Sequence, residues 1–263
     1  MKIKIIIISF LISLYSSVFA VEFKGKFIQG HFIVGKTEPG SKILINKKKI
    51  KISNDGYFAF GIEKDRKFDF VIYENKKKII KKIQKRKYNI QSIEGLPKKK
   101  VTPPEEFYAR IKRENKLIAD AREINSDLLF FKEKFMIPVD DAIITGVYGS
   151  QRILNGIPKW PHYGLDFAQK KGTPIKAMNN GIVTLAENDL FYTGATLIFD
   201  HGHGISTLYM HMDKIFVNKG DHIKKGEIIG TVGSSGRSTG PHLDIRLNWF
   251  GTRLDPATIL DIQ

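Results

Sequence analysis

Short alternating runs of apolar and polar residues, broken every few positions by glycine, asparagine or proline, fill this chain on either side of a single helical stretch. A period of two puts every second side chain on the same face of a strand, so a chain patterned this way folds mainly as β-structure. Between residues 22 and 90, Phe32-Ile33-Val34, Lys42 to Ile45, Lys49 to Ile52, Tyr57 to Phe60, Phe68 to Tyr73 and Ile79 to Ile90 read as strands. Glu38-Pro39-Gly40-Ser41, Asn54-Asp55-Gly56 and Asn75 read as the turns between them. Strands so short and so closely spaced predict a small N-terminal β-sandwich. Leu96 to Pro104, rich in proline and lysine, reads as a linker. Thr102 and Glu105 have capping-box spacing, with Pro103 at the first helical position, and predict a helix. Its apolar stripe runs through Phe107, Ile111, Leu117/Ile118, Ala121, Ile124 and Leu128. That stripe is most simply a packing face; gating a groove is its other use. From Phe135 onward strands and glycine-rich turns return. The expected division is 1–20, 21–92 (sandwich), 93–134 (linker and helix) and 135–263, a second all-β domain.

The first twenty residues have the form of a cleavable signal peptide. Lys2 and Lys4 precede an apolar run from Ile5 to Leu14, and Val18-Phe19-Ala20 ends on a small residue. The run is too short to span a bilayer comfortably, so the expectation is an exported, soluble, periplasmic protein without a stable membrane anchor after cleavage. Cysteine is absent, which excludes disulfides and thiolate metal sites and leaves nitrogen and oxygen as the available metal ligands. The formal charge is +16. Charge of this kind attracts polyanions or simply solvates a lysine-rich surface. Export, and the lack of an aromatic-studded nucleic-acid motif, argue against DNA or RNA as partner.

Six of the seven histidines, all but His31, follow residue 160. In His242-Leu243-Asp244-Ile245, alternation buries Leu243 and Ile245 and turns His242 and Asp244 together to the other face. His162 and Asp166, separated by Gly164, fit a loop entering a strand and can both reach one ion if that loop folds back; histidine plus carboxylate is an ordinary nitrogen/oxygen ligand set. His211 ends the alternating run Ser206 to His211 and is expected on the face of Thr207 and Tyr209. His201 and His203 flank Gly202 and read as turn residues. His222 reads as an exposed turn residue.

Several segments occur in a telling order: Gly149-Ser150-Gln151-Arg152, Pro161-His162-Tyr163-Gly164-Leu165-Asp166-Phe167-Ala168, Gly172-Thr173-Pro174, Asp200-His201-Gly202-His203-Gly204, Leu208-Tyr209-Met210-His211 and Gly236 to Leu243. Together, over roughly residues 139 to 258, the chain resembles the lysostaphin/LytM-type zinc endopeptidases. The resemblance implies an all-β duplicated hybrid motif with zinc in an open groove, and a peptidase domain at 135–263. It implies metal ligands at His162, Asp166 and Asp244, with Asp244 standing where the family has histidine. It implies acid–base or transition-state roles for His211 and His242. Peptidoglycan peptide cross-links are the implied substrate, a D,D-type cross-link first among them. A neutral His-Asp-Asp shell is expected to weaken zinc's Lewis acidity and to admit manganese or iron more readily. The alternative is a catalytically inactive relative that binds and activates another wall hydrolase. A lipoyl- or biotinyl-type carrier, suggested by the turns of Val217 to Gly233, leaves the histidines unexplained.

Overall fold

The computed structural model describes residues 21–94 and 102–260; the predicted signal peptide and most of the proline–lysine linker lie outside them. At the N-terminus, the strands Glu22–Lys24, Phe32–Lys36 and Tyr57–Gly61 form one sheet, and Ile43–Ile45, Lys48–Lys49, Phe70–Glu74 and Lys77–Lys81 a second. Ile33, Phe58 and Phe60 from the first meet Ile43, Ile45, Phe70 and Ile72 from the second. This is the β-sandwich that the sequence predicts. The run Ile79 to Ile90 is not one strand, however. It ends at Lys81, and a new strand, Ile90–Ile93, leaves the sandwich to pair in parallel with Gln151–Leu154.

The helix is Tyr108–Arg122, preceded by a 3-10 turn at Glu105–Phe107. The predicted capping box at Thr102 does not form, and the helix begins later than predicted. Pro103 precedes Pro104, and a residue before proline is pushed out of the α region; Pro104 itself is extended (φ −59°, ψ 150°). The helix also stops before Ile124 and Leu128. Its remaining stripe packs as predicted, with Ala121 and Ile118 against Leu185, Leu190, Ile198, Leu208 and Met210. Glu114 locks this docking. Its carboxylate accepts from the Phe191 amide at 2.8 Å and from Arg110 Nε at 2.6 Å, and Arg110 in turn donates to the Asp189 carbonyl at 2.6 Å.

The remaining chain forms a large antiparallel sheet in the order His222–Ile223, Gly181–Leu190, Gly194–Gly202, Ile205–Met212, His242–Trp249, Leu165–Ala168, Ile143–Gly146, with Thr252–Leu254 added beside His242–Trp249. One face carries Leu165, Phe167, Leu197, Phe199, Tyr209, Leu243 and Ile245 into the main core, closed by Ile175 and Ile229 of a small three-stranded sheet. The sandwich joins the large sheet through Phe32 and Ala59 against Ile205, Leu247 and Leu254.

His201 belongs to this core rather than to a turn. It ends the Gly194–Gly202 strand, is fully buried, donates from Nδ1 to the Asn180 carbonyl at 2.7 Å and accepts at Nε2 from Thr207 Oγ1 at 2.8 Å. Burial pushes its pKa from the usual 6.5 down to about 4. The unfolded chain therefore binds more protons than the native one between these values, and stability is full above pH 6.5 and falls as the pH drops towards 4. The expected loss from this one ring is on the order of 3 kcal/mol, read as a fall in the urea midpoint across that window that His201→Gln flattens. Glu114→Ala is expected to cost about 1–3 kcal/mol by leaving the Phe191 amide unpaired, while Glu114→Gln, which keeps an acceptor there, costs less in the same urea titration.

Candidate functional site

The face of the large sheet opposite the main core holds the chemistry. Leu165–Ala168 and His242–Trp249 pair in a register that sets Asp166 directly opposite Asp244. Leu243 and Ile245 are fully buried in the core, so alternation delivers His242, Asp244 and Arg246 to the other face. The loop ahead of Asp166 folds back as the sequence requires: the His162 amide donates to the Ser150 carbonyl at 2.8 Å, and the His162 carbonyl accepts from the Gly149 amide at 2.7 Å. His162 Nε2 then lies 3.0 Å from Asp166 Oδ1 and 3.3 Å from Asp244 Oδ2. All three side chains are buried, and one ligand atom from each falls within 4.8 Å of the others. Two glycines make the room. A Cβ at Gly146 would stand 2.1 Å from Asp166 Oδ2, and one at Gly164 2.0 Å from Asp244 Oδ1.

The electrostatics of this cluster ask for a cation. His162 Nδ1 donates to the Val147 carbonyl at 3.3 Å, so a neutral ring presents the Nε2 lone pair to two carboxylate oxygens. Asp166 Oδ1 is buried with no hydrogen-bond partner; its 3.0 Å approach to Nε2 is not aligned as a hydrogen bond. Three acceptors facing one another are stable only with a proton or a metal ion among them. Burial alone would lower the His162 pKa; Asp244 and Asp166 outweigh it and raise it. Burial alone would raise the Asp244 carboxyl; Arg246 and His162 hold it well below the usual carboxylate range. The outer sides of both carboxylates are neutralised by arginine: Arg152 Nη2 reaches Asp166 Oδ2 at 3.3 Å, and Arg246 forks onto Asp244, Nη2 to Oδ2 at 3.0 Å and Nε to Oδ1 at 3.4 Å. A carboxylate has about four lone-pair sites, so these contacts leave Asp166 Oδ1 and part of Asp244 Oδ2 for an ion. An N/O/O set on one side of an open groove fits zinc, manganese or ferrous iron.

His211 and His242 stand beside the cluster with ring centroids 4.9 Å apart. His211 does not share the face of Thr207 and Tyr209. It has φ 62°, at a shift in register opposite Ala195 to Leu197; the bulge turns it to the groove with Leu208 and Met210. Its Nδ1 donates to the Ser235 carbonyl and that of His242 to the Gly240 carbonyl, both at 2.8 Å. Each ring therefore keeps Nε2 as its acceptor. Burial pushes His211 down to about 4, so it is neutral at ordinary pH. His201, His203 and His222 are not brought to this site. Arg246, one period beyond Asp244, was within reach of the same alternation; Arg152, on a separate strand, had no local signal as a partner of Asp166.

The groove has a volume of about 1200 Å³, and the helix forms one wall through Ile111, Asn115, Ile118 and Arg122. The stripe packs as expected, and its Ile111 and Ile118 also line the groove. Six basic side chains, five of them arginines, line the groove against two carboxylates among the described residues.

Residues 160–256 match Peptidase family M23. Over 87 residues the chain is 41% identical to the peptidoglycan DD-endopeptidase ShyA of Vibrio cholerae, covering 33% of this chain and 20% of that protein. Over 98 residues it is 38% identical to the DD-carboxypeptidase/endopeptidase Mpg of Neisseria meningitidis, covering 37% and 22%. The chain spans about a fifth of the length of these curated relatives. A Pseudomonas aeruginosa structure assigned to peptidase M23 superposes with a TM-score of 0.66 at 26% identity, covering 89% of this chain and 94% of that one. The fold, N-terminal region included, is therefore shared with it.

Gly164→Ala tests the glycine cradle. It pushes the added methyl onto Asp244 without demanding a left-handed backbone, and is expected to weaken binding of a divalent ion about 10- to 100-fold, measured by chelator competition, with little change in secondary structure by circular dichroism.

Proposed function

We propose, from the match of residues 160–256 to Peptidase family M23, that the chain is an exported metalloendopeptidase that hydrolyses peptide cross-links of bacterial peptidoglycan. The observation that carries the reading is the convergence of His162 Nε2, Asp166 Oδ1 and Asp244 Oδ2 on one point of a groove that also holds two carbonyl-anchored imidazoles. The names of the relatives supply the substrate class. The N-terminal segment of basic, apolar and small residues supports export to the periplasm, and no helix among the described residues is long and apolar enough to cross a membrane. We divide the chain into signal peptide (1–20), sandwich (21–92), linker and helix (93–134) and peptidase domain (135–263).

In this reading His162, Asp166 and Asp244 hold a divalent ion, zinc in the first instance, which when bound supplies Lewis acidity towards the scissile carbonyl and acidifies a water. His211, neutral and fixed through Nδ1, accepts the proton of the attacking water at Nε2. His242, fixed likewise, hydrogen-bonds the developing oxyanion once protonated, or passes a proton to the leaving amine. Arg152 and Arg246 draw charge from the carboxylates that they hold. They offset the negative charge that Asp244 brings in place of a histidine, and with it the weakening of Lewis acidity that a neutral ligand shell alone implies.

Elemental analysis of the purified mature protein, run beside digestion of isolated peptidoglycan, tests the reading. The expected result is one equivalent of zinc, manganese or iron per chain and new muropeptide products. Neither metal nor products would assign the chain instead to the inactive, activator class. Asp244→Ala is expected to abolish both metal retention and hydrolysis; His211→Ala should retain the metal and lose about 10²- to 10⁴-fold in rate.

A further inference from the structure

Beyond the two carboxylates, the groove face continues into a guanidinium cluster of which hydrolysis uses Arg246 alone. His242, Asp244, Arg246 and Asn248 occupy alternate positions of one strand, which places Arg246 roughly 7 Å and Asn248 roughly 13 Å past Asp244. Arg253 pairs in register with Asn248 and lies with its guanidinium 5.0 Å over the Tyr163 ring. Arg122, in the last turn of the helix, reaches Asn248 Oδ1 at 3.5 Å. Arg122, Arg246 and Arg253 all line the groove.

Three observations show that this cluster is short of negative charge. Neither Arg122 nor Arg253 has an ion-pair partner among the described residues. Arg122 Nε and Asn248 Nδ2 are buried donors without an acceptor, a cost to the fold that an arriving acceptor relieves. Burial, and then Arg246, lowers the pKa of Arg122; burial, Arg246 and Arg122 lower that of Arg253 to about 10. Like charges crowded into a partly buried site, with donors unmet and aromatic stacking holding one guanidinium in place, match a ligand that brings its own carboxylate.

We propose that Arg122 and Arg253, with Arg246 bridging back to Asp244, form a subsite for a carboxylate of the peptide substrate, centred at strand positions roughly 7–13 Å along the groove from Asp244. This rests on the peptidase reading, which makes the occupant a peptide. At 3.3–3.6 Å per extended residue, the recognised carboxylate lies about two to four residues from the bond to be cut. The helix then selects substrate through Arg122 as well as walling the groove.

The test uses matched peptides that differ only in carrying a carboxylate or a carboxamide, two to four residues to either side of a central bond. Binding to the metal-loaded protein is measured by calorimetry for wild type, Arg122→Gln and Arg253→Gln, each checked for unchanged metal content and circular dichroism. The expected result is that wild type prefers one acid peptide over its amide about tenfold, and that either variant loses most of this preference while binding the amide as before. Should one variant not fold, the other decides. Equal binding of acid and amide by wild type overturns the subsite, as does a preference that both variants keep. Competition by inorganic phosphate as strong as that of the acid peptide reassigns the cluster to a general anion site and also overturns the proposal. Cleavage of isolated peptidoglycan without an acid preference removes the subsite alone; an acid preference without cleavage removes the hydrolase reading alone.

Discussion

Two aspartates face each other across adjacent strands towards one edge of the large sheet, both buried, and the surrounding structure answers the repulsion between them. Directly opposed like charges destabilise a sheet, and removal from water raises the cost. Asp166 and Asp244 are held in this position by a register that is itself fixed by the core on the other face, where Leu165, Phe167, Leu243 and Ile245 alternate with them. Slipping that register by one residue would bury the carboxylates in the core and expose the leucines. The pair is therefore committed, and compensation has to come from elsewhere: the returning loop that brings His162, the strand that brings Arg152, and Arg246 two positions along.

That compensation bears on the departure from the family pattern. A carboxylate in the third ligand position adds a negative charge relative to an imidazole, and in isolation this weakens a hydrolytic metal site. Here the added carboxylate comes with a guanidinium forked onto it, so the local charge is close to what an imidazole would leave. Arg246 is also the hub of the arginine cluster further along the groove, so one side chain serves two neighbours of opposite sign. Replacing it would disturb both together, which is why Arg122 and Arg253 are the residues through which the cationic end can be probed separately.

Much of this was legible in the sequence, in physical terms that also mark where legibility ends. Period-two alternation placed His242 and Asp244 on one face and Leu243 and Ile245 on the other, and a glycine-containing loop allowed His162 to return towards Asp166. Local periodicity could not register a bulge at His211, because a left-handed histidine inside a strand is set by its neighbours' packing and not by its own preference. The double proline at 103 and 104 moved the helix start against an otherwise sound capping pattern. The strand at Ile90–Ile93 was merged with its predecessor because its partner, Gln151–Leu154, lies far along the chain. Arg122 and Arg152 reach the site from a helix and a distant strand, and no local signal links them to it.

The docking of the helix has a consequence for what constitutes the folding unit. Leu185, Leu190, Ile198, Leu208 and Met210 are covered by Ala121 and Ile118, and Ile205, Leu247 and Leu254 by Phe32 and Ala59 of the sandwich. A polypeptide beginning at Phe135 would keep every metal-ligand and acid–base candidate and yet open two apolar faces to water. Such a fragment trades solubility for independence. The segment that carries the candidate site therefore leaves out residues that cover its apolar faces, and the helix among them also walls the groove.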